Sequence, residues 1–208
     1  VAAIHGTALG GGLETAMGCH YRCAVVAAKV GFPEVNLGLL PGASGTQRLT
    51  RLAGVEKGLD MMTSGKPIGV AEAHQHGIVD LIIDGDLRAG AIAYAAKLVA
   101  DRAPVRRVSR LPVDGSKATP EFFAQFRKQL QRQARGFFAP EQIVKCVEAA
   151  VALPYDQALA RERELFDQCK VSTHSAAQRH LFFAEREISK VPGIGKDVTP
   201  RRVESVAI

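Results

Sequence analysis

Val1-Ala2-Ala3-Ile4-His5-Gly6-Thr7-Ala8-Leu9-Gly10-Gly11-Gly12-Leu13-Glu14-Thr15-Ala16-Met17 begins as an apolar run, passes through three consecutive glycines and continues into helix-compatible residues. That order predicts a strand at residues 1–4, a short loop, a glycine turn and a helix start. Outward from it, residues 21–28 are apolar and β-branched and predict a buried strand. Lys29-Val30-Gly31-Phe32 predicts another, stopped by Pro33. Helical patterns follow over 43–53, 55–63 and 70–76, separated by glycines. Residues 79–83 predict a strand and 87–100 a long Ala-rich helix. Strands alternating with helices define an α/β fold, layered or spiral.

The character changes near Asp101. Residues 102–120 are rich in Arg, Pro, Ser and Gly without periodicity and read as a linker. Four helical segments follow, over 121–135, 140–152, 155–170 and 175–189. In the third, Leu159, Glu162, Arg163 and Phe166 show amphipathic spacing, and Thr173-His174-Ser175 offers capping side chains to the fourth. The tail 191–208, with Pro192, Gly193, Gly195 and Pro200, reads as an exposed connector. The expected organisation is therefore a core over 1–101, a linker over 102–120, a helical region over 121–190 and the connector.

The whole chain has 208 residues, 47% hydrophobic and 23% charged, an ordinary globular balance large enough for one real core. No apolar run reaches the ~18 residues of a membrane span. The 27 Lys and Arg against 21 Asp and Glu leave a net charge of +6, all of it beyond residue 100. A basic half is a solvated face or meets an anionic partner. Nucleic acid is not expected, because acids interleave with the bases and no nucleic-acid motif appears. Cys19, Cys23, Cys146 and Cys169 form no paired CxxC units and read as reduced thiols of an intracellular protein, with no metal site.

The glycine turn is where chemistry is expected. Gly10, Gly11 and Gly12 let a ligand approach backbone N–H groups closely, at a helix end that favours negative charge. No Lys follows in the spacing of a phosphate loop, and the spacing of a dinucleotide fingerprint is absent. Well-aimed N–H groups for an oxyanion fit, as does a simple tight turn. Glu14 lies in the first turn of that helix, and Glu34 follows Phe32-Pro33 beside a second glycine-rich turn, 38–45. Each alone reads equally as an N-terminal helix charge or a solvated loop acid. Together, two carboxylates flanking a glycine turn could hold a water for general acid–base work.

His5-Gly6-x-Ala8-Leu9-Gly10-Gly11-Gly12-x-Glu14, followed by Gly31-Phe32-Pro33-Glu34-Val35-x-Leu37-Gly38-Leu39-Leu40-Pro41-Gly42-x-x-Gly45-Thr46-Gln47-Arg48-Leu49, resembles the enoyl-CoA hydratase/isomerase (crotonase) family. Gly65-Lys66-Pro67-Ile68 and Gly77-Ile78-Val79-Asp80 continue the resemblance across residues 1–100. Beyond it, Ala160-Arg161-Glu162-Arg163-Glu164-Leu165-Phe166, Phe182-Phe183-Ala184-Glu185-Arg186 and the ending 201–208 are similar to multifunctional fatty-acid β-oxidation enzymes. There a helical stretch leads into a 3-hydroxyacyl-CoA dehydrogenase.

The resemblance implies a crotonase-like spiral ββα fold, N-terminally truncated, followed by an all-α helical region. It implies hydration of trans-2-enoyl-CoA, with Δ3,Δ2-enoyl-CoA isomerisation as a second activity of the same acids. Glu14 and Glu34 would grip the water in roles left open, and the Gly11 N–H would be one oxyanion donor. Gly10, Leu39, Pro41 and Gly42 would bind substrate, with loop 39–42 walling the acyl pocket. Val1 rather than Met opens the chain inside an apolar run, and Val206-Ala207-Ile208 ends it on another, so both ends read as cut; the family's other oxyanion N–H comes from upstream of Val1. No cofactor is implied beyond the CoA thioester substrate, and no NAD site lies within the chain. The implied partner is the dehydrogenase, with room for an oligomer. The implied location is the cytoplasm in a bacterium, or the peroxisome or mitochondrion in a eukaryote. The competing expectation is a catalytically incomplete fragment whose basic helical half is an interaction module.

Overall fold

The computed structural model describes residues 1–188 together with 193, 198–199, 202 and 204–205. Its first half is a spiral of strand–strand–helix units. Strand β1 (Ala2–Ile4) passes through β2 (Thr7–Leu9) into helix α1 (Gly11–Gly18). Then β3 (Arg22–Val25), β4 (Lys29–Gly31) and a 3₁₀ turn (Pro33–Leu37) lead into α2 (Gly45–Ser64). The last turn of the spiral is β5 (Ile68–Gly69), α3 (Val70–Gln75), β6 (Leu81–Ile83) and α4 (Leu87–Ala100).

Alternate strands go to different sheets. One sheet runs β1-β3-β6, all parallel, with Ile4 opposite Ala24 and Ala24 opposite Ile82. The other runs β2-β4-β5, with Leu9 opposite Gly31 in the parallel pair and β5 antiparallel to β4. The loop expected between residue 4 and the glycines therefore contains a strand, β2. Its three residues are too few to show a period, and only pairing with β4 defines it.

Helix α4 has the span read from sequence, capped where the Asp86 carboxylate accepts the Ala89 N–H at 2.6 Å. The two patterns over 43–53 and 55–63 form one helical run, α2, broken by non-helical Gly54 (φ 82°). The run begins at Gly45 because Ser44 adopts a left-handed conformation (φ 73°).

The helical segment comprises α5 (Pro120–Gln133), α6 (Ala139–Ala152), α7 (Tyr155–Val171) and α8 (Thr173–Ile188). The connector expected over 191–208, like residue 189 of the fourth helix, lies largely outside the described residues. The cap of α8 is Ser172, whose hydroxyl accepts the Ser175 N–H at 3.0 Å, rather than any of Thr173, His174 or Ser175. The buried stripe of α7 is Ala158, Glu162, Leu165 and Cys169, at spacings of four, three and four. Leu159, Arg163 and Phe166, expected on that face, flank it.

One apolar core joins both halves. Leu13 and Met17 of α1, Phe32, Leu40 and the α2 residues Leu49, Leu59, Met61 and Met62 are buried with Ile143 and Val147 of α6 and Leu165 of α7. Residues 102–120 are tied down as well. Arg22 of β3 is fully buried, its Nε donating to the Ile78 carbonyl and its Nη2 3.1 Å from Asp80. Asp80 also takes an ion pair from Arg106, whose guanidinium lies 4.8 Å from the Tyr21 ring centre. The Tyr21 hydroxyl donates to the Pro104 carbonyl at 2.7 Å, and Val108 is buried.

Candidate active site

The glycine turn follows from local geometry. Gly10 caps α1 at φ 54°, ψ −128°, a conformation that glycine adopts without strain, and its N–H donates to the Gly31 carbonyl at 2.9 Å. A Cβ at Gly10 would collide with Glu34 Oε1. Gly10 is thus glycine for the sake of the carboxylate beside it. Gly11 and Gly12 differ, since a Cβ on either meets nothing within 4 Å. They are exposed, and as the first residues of α1 their N–H groups have no acceptor within the helix.

Glu14 is only 4% exposed. Its Oε1 accepts the N–H groups of Ala43 and Gly45, both at 2.7 Å. These are free donors at the start of α2, where an anion is favoured. Burial pushes the Glu14 carboxyl above its ordinary 4.5, while the two N–H donors and the Arg48 cation pull it back. A Cβ at Gly45 would lie 2.5 Å from Glu14 Oε1, so glycine there lets the acid dock on the helix end.

Glu34 rides on the 3₁₀ turn that Pro33 starts and left-handed Gly38 (φ 66°) ends. Helix α8 holds this turn from behind. The Ser175 hydroxyl donates to the Leu37 carbonyl at 2.8 Å, and Gln178 Nε2 donates to the Val35 carbonyl at 3.2 Å. Gly38 permits the approach, for its Cβ would stand 2.7 Å from Ser175 Cα. Glu34 Oε2 is buried with no hydrogen-bond partner among the described residues. Burial first, and the Glu14 charge as well, push the Glu34 carboxyl up to about 7. The two acids therefore differ, one bound by donors and the other desolvated.

A third buried carboxylate, absent from the sequence expectations, joins them. Glu162 of α7, fully buried, accepts the Ser44 N–H at 2.7 Å and the Thr46 N–H at 3.1 Å, and the Thr46 hydroxyl also donates to it. Burial, with the Glu14 charge adding, pushes it up to about 7. An acid on the buried stripe of a helix was the available signal, because buried carboxyls require donors.

The substrate-binding candidates are placed as follows. Leu39 is half-buried against the core, Pro41 is buried, and Gly42 packs on Phe166, whose ring a Gly42 Cβ would overlap. Gly42, Ser44 and Glu162 border a cavity of about 470 Å³ together with Leu159 and Arg163. Burial drives the thiols of Cys146 and Cys169 upward, the latter to about 11, so neither is a nucleophile at neutral pH. No metal-ready cluster of His, Cys, Asp and Glu occurs among the described residues, nor any helix long and apolar enough to cross a membrane.

Raised carboxyls make stability depend on pH with a fixed sign. Between 4.5, the unfolded value, and about 7, the native state holds more protons at Glu34 and Glu162 than the unfolded chain. Stability contributed by these groups therefore falls as pH rises through that window. Urea midpoints at pH 5 and 7.5 are expected to show this fall, and Glu162→Gln to flatten it. An equal slope in the variant would contradict the assignment.

The chain is 44% identical over 190 residues to the peroxisomal bifunctional enzyme of Cavia porcellus, covering 91% of this chain and 26% of that one. It is 39% identical over 214 residues to the fatty acid oxidation complex subunit alpha of Shewanella loihica, covering all of this chain and 30% of that one. The chain thus spans under a third of the length of these relatives. Carnitinyl-CoA hydratase from Mycobacterium avium shares the fold, with a TM-score of 0.55 at 23% identity over 87% of this chain and 57% of that one. The family model described as enoyl-CoA hydratase/isomerase matches residues 1–134, and on that match the chain belongs to the enoyl-CoA hydratase/isomerase family.

Proposed function

We propose that this chain supplies the acid–base site for adding water across the C2=C3 bond of a trans-2-enoyl-CoA, giving the 3-hydroxyacyl-CoA. The observation that carries the reading is the unequal carboxyl pair. Glu14, though burial raises its carboxyl overall, has two N–H donors on Oε1 that favour its anionic form, which leaves Oε2 for water. Glu34, pushed up to about 7 and with a buried unpartnered oxygen, is poised to carry a proton at neutral pH.

Glu14 accepts a proton from the water as its oxygen bonds to C3, and Glu34 delivers a proton to C2. The thioester oxygen gains negative charge as the enolate forms, and the Gly11 N–H stabilises it; one such donor is worth roughly 3–4 kcal/mol of barrier. Leu39, Pro41 and Gly42 line the acyl side, and Gly10 sets the spacing between turn and acid. Shuttling a proton between C2 and C4 through Glu34 alone would add isomerisation of a Δ3-enoyl thioester.

The curated relatives are named as bifunctional or fatty-acid-oxidation proteins, and the chain matches a part of each. We therefore place the reaction within fatty-acid β-oxidation, in a longer enzyme whose 3-hydroxyacyl-CoA dehydrogenase consumes the product. The CoA thioester is substrate, and the site asks for no cofactor. The location would be peroxisomal in a eukaryote, as in the name of the Cavia relative, and cytoplasmic in a bacterium. The test is the full-length protein with crotonyl-CoA, following loss of the enoyl-thioester absorbance. Turnover to 3-hydroxybutyryl-CoA is expected; tight thioester binding without turnover would instead support a non-catalytic module.

A further inference from the structure

The start of α2 carries an interaction that the proposed mechanism does not use. The four successive backbone N–H groups of residues 43–46, which lead into it, are divided alternately between two buried acids. Ala43 and Gly45 donate to Glu14, while Ser44 and Thr46 donate to Glu162. Successive N–H groups in this turn point to opposite sides, one toward α1 and the other toward α7. Left-handed Ser44 at φ 73° produces the alternation, a conformation that a non-glycine residue keeps only when its surroundings hold it.

Glu162 is the group that holds it. It takes three donors from two residues of the turn, and the Thr46 hydroxyl it binds is itself approached by Gln47 Nε2 at 3.0 Å. Gln47 Nε2 also donates to the Cys146 carbonyl of α6 at 3.1 Å, so the network is anchored on two helices. Remove the carboxylate, and two buried N–H groups and a hydroxyl lose their acceptor. The turn must then rotate to find others, and its rotation moves the Ala43 and Gly45 N–H groups that fix Glu14.

We propose that Glu162 is a positioning residue for Glu14, setting the angle of the 43–46 turn from the opposite side without touching substrate. The proposal rests on the reading of Glu14 as the group that activates water. It makes helix α7, 118 residues along the chain from Ser44, a working support of the catalytic half.

The test is a double-mutant cycle in the full-length protein with crotonyl-CoA as substrate. Glu162→Ala is expected to lower kcat about tenfold to a hundredfold, the range for a misplaced catalytic group. KM, and the affinity for unreactive butyryl-CoA by calorimetry, should change less than about threefold, because Gly42 keeps its packing on Phe166 and the Glu162 carboxylate is turned to Ser44 and Thr46. In a Glu14→Gln background the same substitution should change the residual rate less than about twofold, since the group it positions is gone. Glu162→Gln keeps one acceptor oxygen and should recover most of the lost kcat; if the alanine variant does not fold, Glu162→Leu, which fills the space but removes every acceptor, serves for the cycle in its place.

An unchanged kcat in Glu162→Ala overturns the proposal. So does an equal fold-loss with and without Glu14, which marks a general structural role. If Glu14→Gln itself hydrates at the full rate, the reading of Glu14 fails and the proposal fails with it. A defective Glu14→Gln with additive losses rejects only the role of Glu162.

Discussion

Replacing Glu14 by Gln is expected to reduce hydration of crotonyl-CoA by about 10²- to 10⁴-fold, the usual range for loss of a general base. The amide oxygen of Gln can still accept the Ala43 and Gly45 N–H groups that now bind Glu14 Oε1. The fold and the docking of α1 on α2 should therefore survive, and circular dichroism melts should match the parent's within a few degrees. What disappears is the basic oxygen. Glu34→Gln is expected to fall in the same range for the opposite reason, since the amide cannot give a proton to C2. Isomerisation that persists in Glu14→Gln and is lost in Glu34→Gln would separate the two roles. Full hydration activity in both variants would sink the mechanism.

The second large effect is on stability. Asp80→Ala should destabilise the fold by about 3–5 kcal/mol, because it leaves the Arg22 guanidinium buried without its counter-charge. Arg22 is 0% exposed, and Asp80 Oδ2 accepts its backbone N–H at 2.7 Å as well as pairing with its Nη2. The same carboxylate holds Arg106, so the variant also removes one of the ties on the segment after residue 102. Asp80→Asn keeps an acceptor for the backbone N–H and should lose less. Urea unfolding monitored by far-ultraviolet circular dichroism measures both. A loss below about 1 kcal/mol in the alanine variant would show that Arg22 finds other partners.

Long elements and dense motifs were readable from the residues. Helix α4 runs from Leu87 to Ala100 as its composition suggests, and Glu14 and Glu34 flank the glycine turn that singled them out. What escaped depends on contacts between distant residues. Strand β2 exists through its pairing with β4, and its three residues carry no period of their own. Glu162 fits an ordinary amphipathic face by spacing, and only the turn at 43–46, distant in sequence, defines its role. The expected linker, 102–120, has loop-like composition, yet Pro104 and Arg106 are bound to Tyr21 and Asp80 through side chains whose partners no local pattern encodes.

The grip of α8 on the Glu34 turn has a consequence for biosynthesis. Gln178 reaches back 143 residues to the Val35 carbonyl. At ribosomal speeds of about 5–20 residues per second, roughly 7–30 s separate the emergence of these two residues. Through that interval the nascent chain carries the acid's turn without the hydroxyl and amide that will brace it. Closing so long a loop is slow and comes late, because its entropy must be lost before the contact repays it. The spiral half can begin to collapse on the ribosome, but the geometry around Glu34 is finished only after α8 has been made.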